Sequence, residues 1–470
     1  MSDAEQVDPK TGLALHPQKA VPVLLFLFVF SLVMDNGFKL MSPSIAASLG
    51  LSENTVSLQA TLPGILIGIG AVVYAALSDS ISIRRLMIFA IIVMAIGCVI
   101  GFALQGSFGG ILTGRIIQTC GLAAAETLYV IWATKHFTGD EQKKYLGYST
   151  AAFQLSLLLG AVGGGFIATY VGWTAFFLVN LVVLLTIPFI LKNVPAEQTA
   201  ESHLDIFGLF LVALIAAGIV MFMQDFNWWY LLPAVAGIVV FVWHIRTRPD
   251  ALITIEFFRN RQYTLMLVVV FVVYSVQLGY QFIFPFIIKG IYDWKLSDVS
   301  LLLVPGYTAA VIVGVLSGKI ARYLSSKQAI VIAMVMIALA LLAPAILVGG
   351  WVGIFAISMV LFGSGFALMY APLLSTAIRD VPKAKGGIAI GFYNLIINMA
   401  VPIGIAYSAK LRSLELGLTS FAGQSPTVAT YGSVLLILAI IAVLALLIYR
   451  IFIRALERDD ARNTETLPAG

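Results

Sequence analysis

The sequence predicts an all-helical, polytopic membrane protein of about fourteen spans, built as two six-helix bundles with a two-helix insert between them. Three observations predict it. Of 470 residues, 60% are hydrophobic and only 11% are charged, whereas a soluble domain carries about a quarter charged residues. A large core does not explain that deficit, because a core is still wrapped in a polar surface; lipid must replace water here. Apolar runs of membrane-spanning length, about 20 residues, recur along the chain. The basic residues fall in alternate loops, so the net charge of +5 reads as an orientation signal and not as a nucleic-acid footprint.

A polar tail, 1–19, leads into a first run at 20–46. That run is too long and too charged for a cleavable signal peptide and is read as the first span. Runs at 55–77, 86–106, 109–135, 145–170 and 174–191 complete an N-terminal bundle, 20–191. Polar linkers flank two shorter runs at 206–224 and 229–245, which makes 192–262 the insert. Six more runs, 263–288, 299–321, 328–348, 352–377, 387–409 and 430–453, form the C-terminal bundle, 263–453. The remainder, 454–470, is a charged tail expected to be disordered beyond Arg458.

Of the 28 Lys and Arg, only Lys289, Lys295, Lys410 and Arg412 fall opposite the termini, and Lys39 and Arg115 lie inside spans. Both termini are therefore expected to be cytoplasmic, in a multi-pass cell-membrane protein. Trp173, Trp228, Trp229, Trp294 and Trp351 fall at outer span ends, where an indole suits the headgroup layer. Cys98 and Cys120 sit inside apolar runs, which excludes a disulfide framework or a CxxC metal site. His16, His136, His203 and His244 fall at or outside run ends and form no metal constellation. No metal or organic cofactor is expected.

Four charged residues remain inside spans: Asp35 and Lys39 in the first, Arg115 and Glu126 in the fourth. An ionisable group at that depth costs several kcal/mol unless paired or wetted, so each is a functional candidate. Asp35 and Lys39 are four apart and share a helix face. Arg115 and Glu126 are eleven apart and share a face roughly 16 Å apart along the axis. If spans one and four face each other, two cations sit above two carboxyls around one cavity. The structural alternative is that these are ion pairs, or an arginine on backbone carbonyls, fixing the bundle. Glu126 fits that alternative least, having no basic residue within a turn.

At these residues the chain resembles the major facilitator superfamily, and within it the fourteen-span drug:proton antiporters, of the kind found as Gram-positive tetracycline and multidrug exporters. The loop Leu77 to Arg85 resembles the G-x-L-x-D-r-x-G-r-r motif, with Leu77, Asp79 and Arg84 in place and Arg85 following. The resemblance implies that Asp79, Arg84 and Arg85 gate the cytoplasmic side; the plain alternative is a positive-inside turn. Arg115 to Gly121 resembles R-x-x-Q-G-x-G, with Thr119 replacing a glycine. Gly160-Ala161-Val162-Gly163-Gly164-Gly165 resembles the antiporter motif G-P-x-x-G-G, with Ala161 replacing the proline. There Gly160, Gly164 and Gly165 let helices approach closely and pivot. Gly172-Trp173 through Phe177 and Asn180 resembles the start of span six, and Asp35 precedes Pro43 as an acidic residue does in relatives. Two positions depart from the pattern. Glu126 stands where tetracycline exporters carry proline or an apolar residue, and Arg322 where the second-half loop carries aspartate.

These features imply a proton-coupled antiporter that exports amphipathic, cationic drugs by alternating access. Asp35 and Glu126 would be the proton and substrate sites, with Arg115 and Lys39 coupled to them. The expected cavity wall is Gln118, Gln154, Tyr274, Gln277, Gln281, Tyr307, Tyr370, Tyr393, Asn394 and Asn398, each of which could equally be a packing residue. The alternative is a dedicated exporter or proton symporter for one metabolite or for a tetracycline-type compound. No Ser/His/Asp set, HExxH or phosphate-binding loop is present, which argues against an enzyme. The expected partners are a small-molecule drug, protons and the lipid bilayer, with no nucleic acid, and the monomer is expected to suffice.

Overall fold

The computed structural model describes residues 14–137, 139–196, 205–248, 260–320, 322–381, 386–420 and 425–465. Among them fourteen helices have the length and hydropathy to cross a membrane. Spans 1–6 are Pro17–Leu40, Glu53–Ala75, Ile83–Ala103, Phe108–His136, Ala151–Tyr170 and Ala175–Asn193. Spans 7 and 8 are Ile206–Asp225 and Trp228–Thr247. Spans 9–14 are Arg261–Tyr292, Leu296–Leu316, Ser326–Leu347, Gly353–Ile378, Phe392–Ser413 and Pro426–Arg454. Trp132, late in span 4, donates to the Pro17 carbonyl, so the start of span 1 and the end of span 4 share a face. Alternation puts the end of span 14 there too. We call it the tail face, and its opposite the far face.

Helix ends are sealed by side chains, as a poorly hydrated backbone requires. Ser52 accepts from the Thr55 N–H at 3.0 Å, Asp205 from Gly208 at 2.8 Å and Asn260 from Tyr263 at 2.9 Å. Span 1 departs from the continuous run read at 20–46: its helix stops at Leu40 and restarts as Ser42–Leu49. Pro43 has no N–H to offer the Lys39 carbonyl; the Ser42 hydroxyl fills that place at 2.8 Å. Gln59 of span 2 donates to the Phe38 carbonyl at 3.1 Å and to Ser42 at 2.8 Å. Span 6 is likewise composite, with a 3-10 turn at Leu181–Thr186 between two α segments. The last helix runs on to Glu465, past the expected onset of disorder.

Exposed apolar residues form stripes at helical spacing: Phe89, Ile92, Ile96 and Val99 on span 3, and Ile440, Val443, Leu444 and Leu447 on span 14. Such belts are what a lipid-facing surface needs. Trp228, Trp229 and Trp351 are exposed on the far face as expected. Trp173 is not: it is 9% exposed and donates to Ser48 at 3.1 Å, holding span 6 to the kinked extension of span 1.

Spans 1–6 pack as one bundle, with 1 against 5, 4 against 2 and 3, and 3 against 6; spans 9–14 pack as another. The bundles meet along two seams, span 2 on span 13 and span 5 on span 10, and span 7 lies against both 2 and 13. Small residues make the seams close. A Cβ on Gly68 would lie 2.8 Å from the Asn398 Cβ, and one on Gly165 would lie 2.5 Å from the Leu296 carbonyl oxygen.

Polar contacts clamp the far face. Tyr431 of span 14 donates to Glu53 of span 2 at 2.7 Å, and Arg412 of span 13 sits 3.7 Å from the same carboxylate, stacked 4.6 Å from the Tyr431 ring. Across the other seam the Ser297 N–H donates to Thr169 at 3.0 Å. Gln224 of span 7 exchanges hydrogen bonds with Asn54 of span 2. Towards the tail face the side chains of Tyr370 and Asn394 are exposed. Glu53→Gln should loosen the far-face clamp. In a Cys120→Ser background, a cysteine placed at Gln281 should then react about three- to tenfold faster with an impermeant thiol reagent, the population shift expected for loss of about 1 kcal/mol. An unchanged labelling rate would show that the clamp does not hold this face shut.

Candidate functional site

The charged residues of spans 1 and 4 converge on one carboxylate. Arg115 Nη2 donates to Asp35 Oδ1 at 2.7 Å, while Lys39 Nζ pairs with Oδ2 one turn along. Arg115 is 0% exposed and lies 4.5 Å from the Phe38 ring centroid. Its Nη1 donates to Gln118 at 2.7 Å, and the Gln118 amide contacts Cys98 Sγ at 3.3 Å. Asn180 of span 6 reaches the same sulfur at 3.1 Å. The group is a net single positive charge enclosed by spans 1, 3, 4 and 6. Gln118 therefore does not line the cavity as expected: it is fully buried and spends its amide orienting Arg115.

Glu126 stands apart. It is partly exposed, towards the tail side of span 4, and no basic partner contacts it among the described residues. The Tyr370 hydroxyl of span 12 feels its charge from the opposite bundle. Tyr370 is electrostatically linked in turn to Tyr274 of span 9 and Tyr393 of span 13, and Tyr274 meets Phe366 edge-on at 5.5 Å. The hydroxyls of Tyr274 and Tyr393 are buried with no hydrogen-bond partner among the described residues. A buried hydroxyl without a partner costs about 1–3 kcal/mol, so this wall is chemically primed for a ligand or water.

Lys39 faces a second, small space of about 30 Å³, lined also by Asn36, Leu157, Gln281 and Tyr307. It holds a water or so. Thus Gln281 and Tyr307 gather on Lys39, while Tyr370 is the tyrosine electrostatically coupled to Glu126, with Tyr274 and Tyr393 coupled to Tyr370. Gln154 and Gln277 are half-buried on spans 5 and 9. Asn394 is exposed, and the Asn398 amide bonds back to the Asn394 carbonyl at 3.0 Å, within the seam against Gly68. Asn398 is a seam residue more than a wall residue.

Gly160 and Gly164 pack on span 1: a Cβ on Gly164 would lie 2.8 Å from the Gly37 Cα, and one on Gly160 2.9 Å from the Val33 carbonyl oxygen. Gly165 points to the other bundle. The motif thus joins the helix carrying Asp35 to a seam. In the gating loop, span 2 continues as helix to Ser80 and span 3 starts at Ile83. Arg84 is half-buried and Arg85 exposed; the side chain of Asp79 lies outside the described residues. Sequence reasoning missed Glu53, Arg412 and Tyr431, which resemble ordinary span-end residues, and Cys98 with Asn180, which carry no charge to mark them.

The Major Facilitator Superfamily model matches residues 24–405. The riboflavin transporter RibZ of Clostridioides difficile is 21% identical over 406 residues, covering 84% of this chain and 88% of that protein. The multidrug resistance protein Stp of Mycobacterium tuberculosis is 23% identical over 411 residues, covering 84% and 75%. Among solved structures, a bacterial homolog of the human lysosomal transporter Spinster, in an inward-facing and unoccupied conformation, superposes with a TM-score of 0.69 at 11% identity, covering 95% of this chain and 98% of that one. These agree with the two-bundle architecture. The chain belongs to the Major Facilitator Superfamily, and is a transporter and not an enzyme.

Proposed function

We propose that this transporter is a proton-coupled antiporter that exports amphipathic cations, with the termini cytoplasmic. The observation that carries the proposal is Glu126: a mid-span carboxyl on one bundle, with no basic partner among the described residues, electrostatically coupled to Tyr370 of the other, which is coupled in turn to Tyr274 and Tyr393 with their unpartnered hydroxyls. A carboxylate and aromatic faces together suit a cation on a flat, greasy body. Proton and cation would compete for the one carboxyl, which is the exchange that antiport requires. Stp, named a multidrug resistance protein, supports the polyspecific form. Asp35 is the second proposed proton site. In this conformation two cations hold it, so it would exchange a proton only when rocking of the bundles opens the Lys39 contact.

A dedicated transporter for one aromatic metabolite is the second reading, favoured by RibZ, which is named a riboflavin transporter. Tyrosine faces stack a flat neutral ring as readily as a cation. Proteoliposomes with an imposed pH gradient separate the two. Mutual competition among unrelated cationic drugs supports the first reading; saturable uptake of a single compound, indifferent to them, supports the second.

Glu126→Gln should fold normally, with a melting temperature within about 2 °C of the parent, since no pair is lost. Gradient-driven export should fall at least about tenfold, as removal of an essential proton carrier would produce. Normal gradient-driven export by this variant would remove Glu126 from the mechanism.

Lys39→Ala and Asp35→Asn should behave differently from one another. Lys39→Ala keeps the Asp35–Arg115 pair, so stability should change little while gradient-driven transport drops. Asp35→Asn leaves the enclosed Arg115 without its counter-charge, at a cost of about 3–5 kcal/mol, so melting temperature and transport should fall together. Full transport by Asp35→Asn/Lys39→Ala in proteoliposomes would reduce the pair to a structural clip.

A further inference from the structure

The geometry points to a binding site for one anionic phospholipid in the hollow between spans 11 and 14 at the tail face. Span 11 starts at a capping box: Ser325 accepts from the Gln328 N–H, and the Gln328 side chain accepts from the Ser325 N–H at 3.0 Å. Lys327 and Gln328 are therefore fixed in its first turn. Span 14 comes down antiparallel beside it and reaches the same level at Arg450 and Arg454. Between them is a cavity of about 400 Å³, lined by Lys327, Gln328, Val331, Tyr449, Arg450, Ile453 and Arg454 together with Ile332.

The lining has a definite order. Lys327 and Val331 are four apart, as are Gln328 and Ile332, Tyr449 and Ile453, and Arg450 and Arg454. Each pair occupies one helix face in successive turns. Two helix faces thus meet with Lys327, Gln328, Ile453 and Arg454 nearest the rim and Val331, Ile332, Tyr449 and Arg450 about one turn further in. The lining side chains bring three cations, Lys327, Arg450 and Arg454, to one hollow. Its volume is that of roughly a dozen waters at about 30 Å³ each, which accommodates a phosphodiester and its glycerol. Ile332, Val335 and Leu339 continue from it up span 11 as exposed apolar residues, and Leu447 and Leu444 do so on span 14. An acyl chain can lie along that track while the phosphate meets the arginines, whose planar donor forks suit it.

Orientation alone does not demand this arrangement. Positive-inside bias requires cations near span ends, and Lys192, Arg246 and Arg248 meet it singly on the exposed tail face. Three cations from two helices converging on one hollow is a further feature. Juxtamembrane cations draw anionic lipid generally; the hollow distinguishes one retained molecule from a diffuse cloud.

The test uses the full chain in nanodiscs of phosphatidylcholine, with and without phosphatidylglycerol, read by native mass spectrometry and melting temperature. One phosphatidylglycerol should stay bound through detergent release, and it should raise the melting temperature. Lys327→Gln, Arg450→Gln and Arg454→Gln should each weaken retention about fivefold, while Arg450→Lys keeps it. Val331→Trp/Ile453→Trp fills the hollow with the charges intact and should also abolish retention. The control Lys192→Gln/Arg246→Gln/Arg248→Gln removes as many cations elsewhere and should leave retention unchanged. Equal loss in that control, or full retention after the tryptophan filling, would overturn the site in favour of surface charge alone. An equal thermal shift from inorganic phosphate in phosphatidylcholine nanodiscs would also overturn it, because the ligand would then be free phosphate and not a lipid.

Discussion

Arg115 is a guanidinium with no exposed surface in a helix that lipid surrounds, and much of the N-terminal bundle is arranged so that it can stay charged. Its charge is met by Asp35 of span 1, its second nitrogen by Gln118, and its flat face by Phe38. Each partner is then fixed in turn. Phe38 lies just before the break at Pro43, and Gln59 of span 2 donates to its carbonyl. Gln118 leans on Cys98, which Asn180 also reaches. One buried charge thus sets the register of spans 1, 2, 3, 4 and 6. Taking away its counter-charge costs far more than a surface pair ever contributes.

The rest of the molecule is the complement of that rigid half. The C-terminal bundle has no comparable ion pair among its described mid-span residues, and its polar groups there are hydroxyls and amides. It holds through aromatic and small-residue packing, such as Tyr280 edge-on to Phe362 at 4.9 Å and hydrogen-bonded to Ser358 at 2.8 Å. The bundles touch through glycines at the seams and through polar groups at the far face. Contacts of the second kind can exchange water for protein at little net cost, which is what a face that opens and closes needs. Charge fixes one body, apolar packing the other, and exchangeable hydrogen bonds the join.

Fold class and span positions were legible in the sequence because lipid enforces them: a membrane helix must be apolar for about 20 residues, and the lost polarity shows in one dimension. Asp35, Lys39, Arg115 and Glu126 were legible for the same reason. What they touch was not. Whether Arg115 meets a carbonyl or Asp35 depends on how spans 1 and 4 face one another, and a residue list carries only spacing within each helix. Gln118 was misplaced on that account: a glutamine in a span signals that it needs a partner, not whether the partner is substrate or a neighbouring arginine. Glu53 and Arg412 escaped notice because charges at span ends are unremarkable until two distant ends are seen to meet. Trp173 shows the converse case, since an indole at an outer end can serve the interior as well as the headgroups. The break in span 1 was written in Pro43, but a proline within the first turn of a helix and one that interrupts a helix look alike until the backbone is traced.

Span 7 gives the two seams different surroundings. It lies along the junction of spans 2 and 13 and bonds to Asn54 at its far end, and no comparable helix flanks the junction of spans 5 and 10 among the described residues. Among the described residues one seam is flanked by an extra helix and the other is not. For a solute that dissolves in lipid before it meets the protein, the two sides are unequal as doorways: lateral passage between the bundles is obstructed where the insert stands and sterically simpler on the side of Gly165 and Ser300. A fold of two six-helix bundles is in this way given a front and a back.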